Sequence, residues 1–278
     1  MTIFEDLRTT FLKSIFEQIV NFDGNVPNFA DKSSKSSISL ATSIVRQLGY
    51  MNNPTRPTGQ TSGKQFQDIT KEFLEESFNY LRHIRPGNWE FQIGTPISEF
   101  EQYDHLAELS QAFQQLPMLR ATLGDYLIMP DIVIARIPET DENINRSSEL
   151  VEDVRVASLT PLRMINSPKL ILHASISCKW TIRSDRSQNA RTEGLNLIRN
   201  RKGNTPHIVV VTAEPTPQRI SSLALGTGDI DCVYHIALYE LIQAVQELNN
   251  DAVTDSLDIL VKGKRLRDIS DLPFDLAY

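Results

Sequence analysis

Near the N-terminus the apolar residues Phe4, Leu7, Phe11, Ile15, Phe16 and Ile19 recur at spacings of three, four and one, which predicts an amphipathic helix over residues 4–20. Residues 21–37 lose that period and turn polar, predicting a loop or arm across the surface. A short helix is expected from Ile38 to Leu48, and then the prolines and glycines of MNNPTRPTGQTSG predict irregular chain. The helical period returns at Phe66, Ile69, Phe73, Leu74, Phe78 and Leu81, so that Gln67, Asp68, Lys71, Glu72 and Glu75 fall on solvent faces. HIRPGNWEFQIG reads as a turn into a strand, and Leu106, Leu109, Phe113 and Leu116 mark a helix over residues 101–116.

The pattern then changes to one with a period of two. In DYLIMPDIVIARI, Asp131, Val133 and Ala135 share one face and Ile132, Ile134 and Arg136 the other. An acid at the head of such a strand has to be solvated, paired or bound to a cation, because burying it bare is costly. Residues 138–168 form a polar, irregular insertion. LILHASISCKW follows as a strand with Ser175, Ser177 and Lys179 on one face and Ala174, Ile176 and Cys178 on the other; it leads into a helix carrying Ala190, Glu193, Leu197 and Ile198. HIVVVTAEP is apolar almost throughout, as an interior strand of a mixed or parallel sheet should be. After it come a loop with Arg219, a helix over residues 233–248, a last strand LDILV and a tail. The expected fold is α/β, a mixed central sheet flanked by helices, in one domain spanning residues 1–278.

Composition narrows the chemistry. The formal net charge is −7, which argues against indiscriminate coating of nucleic acid. Yet from Lys179 to Lys202 seven lysines and arginines stand against two acids, a local net of +5. Cys178 and Cys232 are the only cysteines and form no CxxC pair, which together with an acidic N-terminus predicts a reducing cytoplasmic setting and no thiolate zinc site. No apolar run approaches the ~20 residues needed to span a bilayer. Glycine-rich phosphate loops, a GxSxG elbow and HExxH are all absent.

What remains is Pro130 and Asp131 opening one strand, Lys179 closing the next, and Glu193 on the helix beyond. Two carboxylates and a lysine at strand ends suit metal-dependent phosphodiester cleavage, since oxygen ligands hold Mg²⁺ and a cation offsets charge developing on phosphorus oxygens. By composition alone these residues fit ordinary surface ion pairs better, and Asp31 fits a solvated loop acid.

The order Pro130, Asp131, then Ser177, Cys178, Lys179 resembles the PD-(D/E)xK nuclease pattern, with serine in place of a carboxylate and Glu193 placed to replace it, as in the permuted branch. More specifically, LILHASISCKWTIRSDR, NARTEGLNLIRNRKG, PHIVVVTAEPTPQRISS, GTGDIDCVYHIALYEL and GKRLRDISDLPFDLA, together with GQTSG and HIRPGNW, resemble the NgoMIV-like type II restriction endonucleases over nearly the whole chain. That resemblance implies a restriction-endonuclease fold in a bacterial cytoplasmic enzyme of a restriction-modification system. It implies Mg²⁺, two ions per site, on Asp131, Glu193 and the Cys178 carbonyl, with Lys179 as the catalytic lysine and Ser177 beside them. It also implies that Arg183, Asp185 and Arg186 read the inner pairs of a CCGG core, Arg219 and Asp31 the outer pair, and Gln60 the minor groove. Duplex 5′-GCCGGC, cut after the first G to leave 5′-CCGG overhangs, is then the expected substrate, and a homotetramer acting on two sites the expected assembly, with the C-terminal helix and tail as candidate interface. The chain departs from the family at Gln67, where a glutamate is expected to join the metal site. This leaves open a site-specific DNA-binding protein that cleaves weakly or not at all, and, with RSDR as a phosphate-gripping cluster, a repair nuclease indifferent to GCCGGC.

Overall fold

The structure, a computed structural model, describes residues 2–50, 59–115, 118, 128–152, 155–226 and 228–278. Its centre is a six-stranded sheet in the order β3 (Trp89–Ile93), β4 (Ile132–Arg136), β5 (Ile171–Lys179), β6 (His207–Thr212), β7 (Cys232–His235) and β8 (Leu266–Asp268). The pairs β3–β4 and β4–β5 are antiparallel, and the remaining three pairs are parallel. A two-residue pair, β1 (Phe22–Asp23) with β2 (Val26–Pro27), lies in the arm. Two clusters fill the faces of the large sheet. Ile132, Ile134, Ala174 and Ile176 enter the larger one with the helices α1 (Ile3–Gln18), α2 (Lys35–Leu48) and α3 (Gly59–Tyr80), while Val133, Ala135 and Leu172 enter the smaller one with Tyr103 and Leu197. The alternation expected of β4 therefore holds residue by residue. In β5 it holds from Ala174 onward. A register shift between Ile134 and Ala135 pairs Ala135 with Leu172 and skips His173, which moves Leu172 to the other face.

Four expectations need correction. LDILV is helical, inside the helix Asp251–Lys262, where Val253, Leu257 and Leu260 are buried at helical spacing and Asn250 caps the first turn through the Val253 N–H. A five-residue apolar run taken alone cannot separate helix from strand. The glycine-containing GQTSG is helical too: α3 starts at Gly59, and the burial of Phe66, Phe73 and Leu74 outweighs the ~1 kcal/mol each glycine costs a helix. Arg219 lies on the helix Pro217–Ala224, with proline at its N-terminal end. The segment from Val233 begins as strand β7, and the following helix covers only Leu238–Leu248. In sequence, β7 and β8 are short pieces beside longer helical patterns, so their partners in the sheet, not their own periodicity, define them.

Candidate active site

Strand direction assembles the site. β4 runs antiparallel to β5 with Ile132 opposite Ile176, so Asp131, one residue before β4, comes level with the Ser177, Cys178 and Lys179 that end β5. The helix that follows β5 (Ser184–Asn200) packs Leu197 onto the smaller cluster and lays Glu193 back along the face that Ser177 and Lys179 occupy. α3 approaches from the other side. Trp180 meets Phe29 of the arm and Phe66 of α3 edge to face, at 5.8 and 5.2 Å between ring centres, and so seats both elements against the end of β5.

Donors surround the two carboxylates. Asp131 Oδ2 accepts the Cys178 N–H at 2.7 Å and Lys179 Nζ at 3.0 Å, and its Oδ1 accepts Gln67 Nε2 at 2.8 Å. Ser177 Oγ donates to Glu193 Oε2 at 3.1 Å. The side chains of Asp131 and Lys179 are 22% and 16% exposed, enough for a substrate to reach them. Burial opposes the Lys179 ammonium, yet the charges of Asp131 and Glu193 outweigh it and raise its pKa, so the amine is protonated at neutral pH. Burial raises the pKa of Glu193, with the Asp131 charge adding to it and Lys179 and the Ser177 hydroxyl only partly offsetting the rise. The Cys178 thiol, buried, is pushed upward and is no thiolate ligand.

Among the described residues no three His, Cys, Asp or Glu side chains converge as a metal-binding set. The donors present are two carboxylates and neutral oxygens, which suits one hard divalent cation of the magnesium class, as such ions need only one or two carboxylates. Gln67 turns its amide N–H₂ to Asp131, so the side chain assigned to solvent by spacing belongs to this cluster.

A cleft of about 550 Å³ opens on Lys179, Cys178 and Glu193, and a second of about 1050 Å³ lies alongside, the two sharing Asn28, Thr181 and Arg183 as walls. Lys32, Arg183, Arg191 and Arg219 line the second against the single acid Asp31. Arg219 donates to Asp31, and Ser33 donates to the same carboxylate through its hydroxyl and N–H at 2.7 and 2.9 Å. Those two Ser33 bonds, then Arg219, lower the Asp31 pKa to about 2. The structure thus gathers Asp131, Gln67, Ser177, Cys178, Lys179 and Glu193 in one cluster, and Asp31, Arg183 and Arg219 along the adjoining cleft. Gln60, Asp185 and Arg186 sit in the first turns of their helices, and their side chains lie outside the described residues. The buried Glu214 and the cleft-lining Arg191 escaped the sequence reading; an acid following an otherwise apolar strand, as in VVVTAEP, was the available signal for the first.

The family model for NgoMIV restriction enzymes matches residues 4–278. The chain is also similar to the type II restriction enzyme NgoMIV of Neisseria gonorrhoeae, at 51% identity over 284 residues covering 99% of each chain.

Proposed function

The chain belongs to the NgoMIV restriction enzyme family, type II site-specific deoxyribonucleases, and from this we propose that it hydrolyses duplex DNA at 5′-GCCGGC after the first G, with Mg²⁺ and two copies of the site engaged by a homotetramer in the bacterial cytoplasm. The observation that carries the reading is the meeting of Asp131, Lys179 and Glu193 beside a cationic cleft.

Asp131 and Glu193 would hold the cation, with the Cys178 carbonyl as a further oxygen. Bound there, Mg²⁺ lowers the pKa of its water and offsets charge on the phosphorus oxygens. Lys179 acts as a hydrogen-bond donor and positive charge toward the scissile phosphate and the attacking water. Ser177 fixes the Glu193 carboxylate in position. Gln67 would have to release Asp131 Oδ1 for that oxygen to hold a cation, and its amide would offer a weaker donor there than the glutamate expected at this position. Arg183, Asp185 and Arg186 read the inner C:G pairs, Arg219 and Asp31 the outer pair, and Gln60 the minor groove; arginine gives two hydrogen bonds to guanine O6 and N7, and aspartate accepts from cytosine N4. The tetramer is supported by exposed apolar side chains on two segments, Leu150, Leu159 and Ile165 of the insertion at 61, 94 and 64% and Phe274 and Tyr278 of the C-terminal tail at 44 and 80%.

Plasmids with zero, one and two GCCGGC sites, incubated with and without Mg²⁺, test the whole reading. Cleavage at GCCGGC alone, faster with two sites, is expected. Binding without cleavage would replace it with a DNA-binding role, and cutting regardless of GCCGGC would replace it with a general nuclease.

A further inference from the structure

Glu214 plays no part in the mechanism above, yet it is a carboxylate with 1% of its surface exposed, two residues beyond β6. Its Oε2 accepts the Ile182 N–H at 3.0 Å and lies 3.9 Å from Arg219 Nη1, and its Oε1 accepts the Thr216 N–H at 3.2 Å. Ile182 stands directly before Arg183 at the head of one helix, and Thr216 directly before the helix that carries Arg219. Both segments line the larger cleft. One side chain therefore joins the turn that presents the arginine cluster to the helix that presents Arg219. Arg219 is held from the far side by Asp31.

Burying a carboxylate is costly unless donors repay its lost hydration. Two backbone N–H groups do so here, with the Arg219 guanidinium attracting the carboxylate from 3.9 Å, and burial still raises the pKa above the usual glutamate value. A residue needed only to cap a helix would not require a buried charge aimed at a cleft arginine.

We propose that Glu214 is a positioning residue for base recognition: it holds Arg219 at a fixed distance from residues 181–183, so that the outer pair of the site is read in step with the inner pairs. This rests on the groove-reading roles proposed for Arg219 and the Arg183 segment. Glu214→Gln separates charge from shape. Its carbonyl oxygen continues to accept one backbone N–H, while its attraction for Arg219 is lost.

The test is binding in Ca²⁺ of three duplexes, GCCGGC and versions altered at the outer pair or at an inner pair, by the full-length protein, Glu214→Gln, Arg219→Ala and the double variant. The preference for GCCGGC over the outer-pair duplex should fall roughly tenfold in Glu214→Gln, while the preference over the inner-pair duplex stays within about threefold. Added to Arg219→Ala, the substitution should change the outer-pair preference by less than about twofold, because its effect runs through that arginine. If Glu214→Gln does not fold, Glu214→Asp, which keeps the charge but withdraws it by one methylene, carries the same expectations. Equal weakening on all three duplexes, or an undiminished effect in the Arg219→Ala background, would overturn the proposal. A discriminating wild type matched by an equally discriminating Glu214 variant overturns it alone. A wild type that binds all three alike overturns the groove-reading assignment and the proposal together.

Discussion

At its first residues β5 presents His173, set edge-on to Trp89 and His207 at 5.0 and 4.8 Å between ring centres; at its last it presents Lys179 on Asp131. At the near end Arg85 Nη2 lies within hydrogen-bonding distance of both ring nitrogens of His173, 2.6 Å from Nε2 and 2.9 Å from Nδ1, and the Leu276 carbonyl oxygen is 3.0 Å from Nε2. Burial, then the charges of Arg85 and His207, lower its pKa to about 3, and burial first lowers that of His207 as well. Basic groups are crowded there with no carboxylate against His173 among the described residues, and the fold responds by keeping the ring uncharged. At the far end a basic group of similar burial has two acids beside it, so it keeps its proton and faces a cleft. One strand thus teaches that the partners of a buried base, more than its depth, decide whether it serves packing or chemistry.

The contrast is open to attack from both ends. Lys179→Ala and Asp131→Ala should each lower single-turnover cleavage by at least ~10³-fold while leaving GCCGGC binding in Ca²⁺ intact; cleavage at near wild-type rates in either would mean that the acidic end is not the site of chemistry. Arg186→Ala should lose roughly 10- to 100-fold in preference for the intact CCGG core over duplexes changed at an inner pair, measured by competition. Gln67→Glu adds a third acid where an amide now donates, and should lower the Mg²⁺ concentration at half-maximal cleavage roughly tenfold. Calorimetric Mg²⁺ binding on the DNA-bound Lys179→Ala protein, with and without Gln67→Glu, checks this independently of rate, and identical isotherms would remove Gln67 from the metal site. At the histidine end the sign follows from a folded pKa below the ordinary 6.5: the folded state resists the proton, so stability is full above that value and is lost as pH falls toward 3. Urea unfolding at pH 7 and pH 5 should show His173 contributing about 1–2 kcal/mol of loss, absent from His173→Gln; an equal loss in that variant would place the acid sensitivity elsewhere, for example at the buried His235, whose pKa burial likewise lowers, to about 4.

These two ends were unequally visible beforehand. The alternation in IVIAR and in ASISCK set which residues face which way, and the head-of-strand acid was an anomaly that demanded a partner, so Asp131, Lys179 and Glu193 stood out together. Composition alone still favoured ordinary ion pairs for all three, and only the motif made them one candidate site; the crossover that lays the Glu193 helix back over the sheet is not supplied by periodicity. Gln67 was assigned to solvent because it falls off the apolar stripe of Phe66, Ile69, Phe73, Leu74, Phe78 and Leu81, and only the approach of α3 to β4 turns it toward Asp131. Glu214 and the pairing of His173 with Arg85 depend on contacts between segments distant in the chain, for which no local pattern exists. The short strands β7 and β8 were hidden for the same reason.

Gly194, next in sequence to Glu193, has the backbone of the turn before β7 directly against it: a Cβ built there would overlap the carbonyl oxygen of Asp229 and come within 3.4 Å of Ile208 Cγ2. The depth at which the Glu193 helix rests is consequently gauged by a carbonyl on its rear side, with no clearance for even one methyl group. The reach of the Glu193 carboxylate toward Ser177 is in this way fixed by a bend of chain on the opposite side of the helix, and tolerance to change at Gly194 should be narrow.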